Sequence, residues 1–141
     1  HLELSGTFVI NPVYAFRLLE RINQPIYVQE YIQKPGKDIR AFVIGDQVVA
    51  AIHRIAPTGH WKTNVAQGGK AKPVKLPREI KDLAVKSAQV LGLEYAGVDI
   101  IETSRGPIIL EVNSSPSWQG LQRTTRINIA DHLIKYAAEN C

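Results

Sequence analysis

Apolar residues recur along this chain with two different spacings, and the switches between them mark its elements. Residues 77–91 place Ile80, Leu83, Ala84, Ala88 and Leu91 at helical intervals, with Pro77 at the start and Gly92 just past the end. That spacing predicts a helix. The same period predicts a helix over 12–22 from Ala15, Leu18, Leu19 and Ile22, behind an Asn11-Pro12 start. A third is predicted over about 128–139, burying Ala130, Leu133, Ile134 and Ala137. Strand-like runs are short: 7–10, 25–32, 39–44, 47–55, 95–102 and 107–113. Gly45-Asp46 and Ser104-Arg105-Gly106 are tight-turn sequences between neighbouring runs, and the Pro-Gly within 33–37 marks another turn. From Ala56 to Pro73 no period survives, which predicts a long loop, and 114–126 is expected to be a second, polar one. The order predicts an α+β fold: an antiparallel sheet with helices packed on one face, residues 1–141 forming a single domain.

Composition narrows the class without naming a chemistry. With 141 residues, 45% of them hydrophobic and 21% charged, the chain is long enough for one domain with a real core. No apolar run approaches a membrane span, and no signal-peptide pattern opens the chain. The lone cysteine, Cys141, excludes an internal disulfide framework and fits a cytoplasmic protein. Because the sequence opens at His1 and contains no Met, it is expected to be part of something longer. The net charge of +4 comes from scattered cations, which favours a small anion such as a nucleotide over a nucleic-acid surface.

The candidate chemistry begins in GVDIIETSRGPIILEVNSSP, residues 97–116, where each apolar strand carries one acid, Asp99 and Glu111. Glu111 and Asn113 are two apart and share a face, and the turn places Asp99 on the neighbouring strand roughly opposite them. Two carboxylates and an amide are hard oxygen donors of the kind that suit Mg²⁺. The alternative is a sheet with one polar face and ordinary surface acids. The stretch APTGHWKTNVAQGGKAK offers Gly68-Gly69 for backbone approach to an anion, charge from Lys62, Lys70 and Lys72, and Trp61 as a cover; a solvated basic loop remains open. Asp38 and Arg40 share a face at the start of one strand, and Arg54 at the end of the next can approach them across the hairpin. Two arginines suit a phosphate or carboxylate, with a plain cross-strand Asp–Arg pair as the other reading. His53 and His60 show no zinc-ligand spacing and carry no catalytic weight.

Taken together, VQEYI, DIR, WKTN…GG, GVDI, EVNSSP and Thr124-Thr125 through Asp131 occur here in the order found in RimK-type ATP-grasp ligases, which this chain resembles from about residue 7 to 138. That family includes ligases that add glutamate to ribosomal protein S6, to tetrahydromethanopterin or to deazaflavin cofactors. The resemblance implies ATP with Mg²⁺ (or Mn²⁺) as cofactors and a carboxylate–amine ligase working through an acyl phosphate. Glu30, Tyr31 and Ile32 would hold adenine, Asp38 ribose, and Lys62, Thr63 and Asn64 the nucleotide and its phosphates. Arg40 and Arg54 would act on the transferring phosphoryl group, and Asp99, Glu111 and Asn113 would ligate the metal. The partners implied are ATP, an amino acid expected to be glutamate, and an acceptor carboxylate on a protein or cofactor, with the oligomeric state left open. The family also carries, upstream, a lysine-bearing strand and a glycine-rich loop over the phosphates. These 141 residues alone are therefore expected to be inactive. Arg126 stands where relatives often have Gly, near the expected amino-acid pocket. The rival classes are a non-catalytic nucleotide-binding relative and, behind it, a basic nucleic-acid-binding domain.

Overall fold

The computed structural model describes residues 32, 36–57 and 69–140. The expected elements at 7–10 and 12–22, nearly all of 25–32, and the loop tip with His60 and Trp61 lie outside the described residues.

Two hairpins build the sheet. The first joins β1 (Lys37–Ile44) to β2 (Gln47–Ile55) through Gly45-Asp46, with Ile44 paired to Gln47. Gly45 takes φ +56, which favours glycine at the first turn position. The second joins β4 (Tyr95–Thr103) to β5 (Gly106–Asn113), closed by the Thr103 hydroxyl donating to the Gly106 carbonyl at 2.9 Å. The short β3 (Lys70–Pro73) completes an antiparallel sheet of order β3-β2-β1-β4-β5. β3 falls where an unbroken loop was expected. Its sequence, Lys-Ala-Lys-Pro, has no apolar alternation, because an edge strand is held by backbone pairing with Ile52–Ile55 and is blunted by lysine and proline.

Three helices follow: α1 (Arg78–Val90), α2 (Gln119–Thr125) and α3 (Ile129–Asn140). α1 forms as its spacing predicts, with Ile80, Ala84 and Ala88 buried. The N–H groups of Gly92 and Leu93 close it on the Gln89 and Ala88 carbonyls, with Gly92 at φ +67. Leu91 lies just past the helix and is 59% exposed, not part of the buried face. α2 lies inside the expected polar loop. Only Leu121 of its seven residues is buried, so no apolar period announces it. α3 is rotated from expectation. Ile129, Leu133 and Tyr136 face the sheet, whereas Ile134 is 69% exposed and Ala137 is exposed too. The Tyr136 ring supplies the third position of the stripe, where a count of aliphatic residues had placed Ala137.

The antiparallel α+β architecture is as expected, but the helices do not share one face. Alternation along β1 sends Ile39, Ala41 and Val43 to one side, where they pack with α1 residues Ile80, Ala84 and Ala88. Phe42 and Ile44 point to the other, where Leu121 of α2 and Ile129 of α3 cover them. A sheet whose central strand is apolar on both sides needs cover on both, which the period-2 count along 39–44 left unread. Among the described residues no helix is long and apolar enough to cross a membrane.

Candidate functional site

The face that carries Phe42 and Ile44 turns polar at the other end of β1. Register pairs Asp38 with Arg54 across β1–β2, and Arg40 with Asp99 across β1–β4. Directly paired residues share a face, so four charges from three strands meet. Arg54 Nε donates to Asp38 Oδ1 at 2.7 Å and its Nη2 donates to Asp99 Oδ2 at 2.8 Å. Arg40 Nη2 donates to the same Asp99 oxygen at 2.8 Å, and its Nε forms an ion pair with Asp99 Oδ1. Asp38 is 3% exposed and Asp99 5%, so neither carboxylate is a surface acid. Burial works against the Arg54 charge, but the hydrogen bond to Asp38 and the charges of Asp99 and Asp38 outweigh it and raise its pKa above the usual arginine value. Arg54 therefore stays cationic at any working pH. Two guanidiniums and two carboxylates balance, which is the condition for burying charge at all.

Asp99 also adjoins the expected metal donors. It pairs with Glu111, and Gly97 pairs with Asn113, so all three oxygen-bearing side chains lie on one face. A bulge makes this possible. From the turn outward the ladder runs Thr103–Gly106 to Ile100–Ile109 in regular order, and that register would set Asp99 against Leu110. The shift between Asp99 and Ile100 leaves Leu110 unpaired and brings Glu111 opposite Asp99. Glu111 is exposed and Asn113 half-buried. Among the described residues no group of three or more His, Cys, Asp or Glu is gathered tightly enough to hold a metal ion. The fit rests on donor chemistry: an oxygen-only set of two carboxylates and one amide, with Glu111 open to the solvent side. Asp99 Oδ2 already accepts from both arginines, so the lone pair it can offer a metal is on Oδ1, which faces only Arg40 Nε.

The structure thus brings together Asp38, Arg40, Arg54, Asp99, Glu111 and Asn113 on one sheet face. Asp99, expected only at a metal, is also the shared partner of both arginines. Glu30, Tyr31, Lys62, Thr63 and Asn64 lie outside the described residues, and Ile32 is half-buried in irregular backbone. Lys72 pairs with His53 and Lys70 with Ile55, which puts both on the sheet face opposite Arg54. Gly97 and Pro116 were missed. A Cβ built on Gly97 would sit 2.6 Å from Pro116 Cβ and 3.1 Å from Arg40 Nη1, so the chain after Asn113 folds down beside the arginine. The Gly-Val-Asp order signalled this only through its glycine. A groove of about 720 Å³ lies between the Gly45-Asp46 turn and α3 and includes none of these residues.

Comparison with known proteins agrees with this fold. The model of the RimK-like ATP-grasp domain matches residues 9–137. A probable alpha-L-glutamate ligase of Legionella pneumophila (strain Corby) is 49% identical over 133 residues, covering 94% of this chain and 42% of the relative. The tetrahydromethanopterin:alpha-L-glutamate ligase of Methanocaldococcus jannaschii is 49% identical over 112 residues, covering 77% of this chain and 38% of that protein. The chain thus spans well under half the length of these relatives. The ATP-grasp ligase PsnB, solved with a phosphomimetic variant of its minimal precursor, Mg and ADP, superposes with a TM-score of 0.59 at 28% identity, over 74% of this chain and 32% of PsnB. With the family model matching most of its length, the chain belongs to the RimK-like ATP-grasp domain family.

Proposed function

We propose that the protein is an ATP-dependent carboxylate–amine ligase that adds L-glutamate to an acceptor carboxylate on a protein or cofactor. The observation that carries this reading is the Asp38–Arg54–Asp99–Arg40 ladder beside Glu111 and Asn113, in a chain 49% identical to a protein named as a glutamate ligase. A carboxylate oxygen of the acceptor attacks the γ-phosphorus, and the bond to the β–γ bridging oxygen breaks to release ADP. The amine of glutamate then attacks the acyl carbon, loses a proton and expels phosphate.

Each residue of the ladder has a part in that scheme. Arg40 and Arg54 each retain an Nη1 with no partner among the described residues, so each has donors to give to phosphate or acyl-phosphate oxygens. Their planes are preset by Asp38 and Asp99, so little reorganisation accompanies the transfer. Asp38, expected at the ribose, also positions Arg54. Glu30, Tyr31 and Ile32 hold the adenine, and Lys62, Thr63 and Asn64 the phosphates. Asp99, Glu111 and Asn113 are the residues that would hold Mg²⁺ or Mn²⁺, which when bound supplies further positive charge at the phosphates.

The test is isotopic. With ¹⁸O in the acceptor carboxylate, the full protein should release phosphate carrying one labelled oxygen for each amide formed. Amide formation with unlabelled phosphate would rule out the acyl phosphate. ATP binding without amide formation on any acidic acceptor would favour the non-catalytic reading.

A further inference from the structure

Four lysines gather along the β3 side of the sheet. Lys70 and Lys72 are exposed on β3, Lys75 is exposed just beyond it, and Lys81 is half-buried in the first turn of α1. None of the four has an ion-pair partner among the described residues. Asp82, next to Lys81 in the chain, is engaged by Arg78 at 3.5 Å. Glu79 lies on another side of α1, roughly 160° round the helix from Lys81. Like charges gathered without acids attract an anionic partner. The arginine ladder does not use them, because Lys70 and Lys72 lie on the opposite face of the sheet.

Beside these lysines the sheet edge is uncovered. β3 pairs with β2 over 52–55, and one further hydrogen bond, from the Val74 N–H to the Ala51 carbonyl at 3.1 Å, ends the contact. Among the described residues no strand pairs with 47–50 on that side. A groove of about 380 Å³ opens there, a volume within the range of ligand sites. Val48, Val49, Pro73, Val74, Leu76 and Ile127 line it, and Lys75 and Lys81 are the charged residues among its described lining. Val48 and Val74 pack with the α1-side cluster, whereas Val49 and Ile127 pack with the other. The groove is therefore the place where both apolar clusters reach an open edge.

Two features select the occupant. β2 bulges at the groove: Phe42 pairs with Ala50 and Val43 with Val48, which leaves Val49 as the extra residue. A bulge interrupts the regular ladder that an added strand would extend, so recognition falls to side chains. The lining is aliphatic, with no aromatic ring among the described residues. A single-stranded nucleic acid needs stacking platforms as well as cations. Aliphatic walls beside ammonium groups match instead a polypeptide that carries both aliphatic and acidic side chains. We propose that this edge docks an acidic segment of a protein partner, with an aliphatic side chain seated in the groove and flanking carboxylates drawn to the lysines. The docking surface goes beyond the ligase reading and does not depend on it.

Fluorescence anisotropy on the full protein tests this, with a non-hydrolysable ATP analogue filling the nucleotide site. The probe is a dye-labelled peptide of Glu-Glu-Leu repeats. Its controls are the same peptide with Gln for Glu, the same with Ala for Leu, and oligo-uridylate. The Glu-Glu-Leu peptide should bind, more weakly as salt rises, and both peptide controls should bind less tightly. In the Lys75→Glu/Lys81→Glu double variant its affinity should fall about ten-fold or more, the scale of two charge pairs turned from attraction to repulsion. Affinity for the ATP analogue should not change. Lys75 is exposed and an acid at position 81 suits the first turn of a helix, so the double variant keeps its fold. No binding of the Glu-Glu-Leu peptide, or wild-type affinity for it in the double variant, would overturn the site. Equal binding of the Gln form would remove the charge recognition, and equal binding of the Ala form would remove the groove; either overturns the proposal. Oligo-uridylate that displaces the peptide and is itself lost in the double variant would make the edge a nucleic-acid surface, which overturns the choice of partner.

Discussion

At the scale of single residues, the site is held by a guanidinium shared between two buried acids. Arg54 bridges Asp38 and Asp99 with separate nitrogens, at 2.7 and 2.8 Å. Removing it leaves two buried carboxylates with less than their full partner set. Arg54→Ala should therefore lower unfolding free energy by about 3–5 kcal/mol, measured by chemical denaturation. Arg54→Lys keeps the charge but has one nitrogen where two are needed. It should recover part of that stability while amide formation stays low and nucleotide affinity changes little. Full recovery of turnover by lysine would show that charge alone suffices. Arg126 gives the opposite sign. Its left-handed backbone makes the side chain a local liability, so Arg126→Gly should raise stability by about 1 kcal/mol, visible as a higher melting temperature. A drop instead would mean that the guanidinium makes contacts worth more than the strain.

At the scale of elements, what was legible in the sequence was whatever repeats. α1 and the two hairpins follow from period and turn residues, because their apolar positions are dictated by one flat packing surface. α2 and β3 were not legible. One buries a single residue and the other is an edge strand of lysines, so tertiary pairing rather than local pattern makes them. The face shared by Asp99 and Glu111 was expected from simple opposition across the turn. It depends on a bulge at Asp99/Ile100 that nothing in Ile-Ile-Leu-Glu-Val announces. Counting from the turn by a regular ladder would have put Glu111 on the other face. The distribution of helices over both faces was missed because β1 is apolar at every position over 41–44 and has no alternation to read there. Close fit between elements is testable at Gly97, where the strand meets the Pro116 turn beside Arg40. Gly97→Ala forces a Cβ into Pro116, and should cost about 1–3 kcal/mol in denaturation while lowering turnover through Arg40. α3 offers a pH-dependent probe of its docking. The Tyr136 hydroxyl donates to the Glu94 carboxylate, and that hydrogen bond, with the charge of Glu94 beside it, raises the phenol above its ordinary 10.0. A raised pKa means the folded state holds the proton more tightly. The contribution is complete below 10.0 and is lost as pH rises through the folded value. The melting-temperature gap between wild type and Tyr136→Phe should be constant from neutral to mildly alkaline pH, then narrow above pH 10.

At the scale of the molecule, one sheet face carries two functions at its two ends, and exposure separates them. The apolar end is sealed by α2 and α3. The polar end, with Asp99 and Glu111, is where nucleotide and metal are proposed to bind. Both acids are proposed to hold the same ion, yet they sit in unlike places: Asp99 is 5% exposed and paired with two arginines, while Glu111 is exposed at its partner position in the ladder. Neutralising each should therefore give different results outside catalysis. Glu111→Gln removes a charge from solvent, where substitutions shift stability by only about 0.5 kcal/mol either way. Asp99→Asn removes the anion that balances Arg40 and Arg54 and leaves Arg40 without a carboxylate and Arg54 with Asp38 alone, both half-buried, a loss of up to several kcal/mol on the scale of a broken buried pair. If both ligate the metal, both variants of the full protein should lose amide formation by orders of magnitude, and both should lose the Mg²⁺ dependence of nucleotide affinity measured by calorimetry. Only Asp99→Asn should also unfold at markedly lower denaturant. Glu111→Gln is the decisive variant, because its fold gives no other reason to fail. Native stability together with native turnover and an unchanged Mg²⁺ effect on ATP affinity would remove Glu111 from the metal set, and leave Asp99 as a purely structural counter-charge for the arginines.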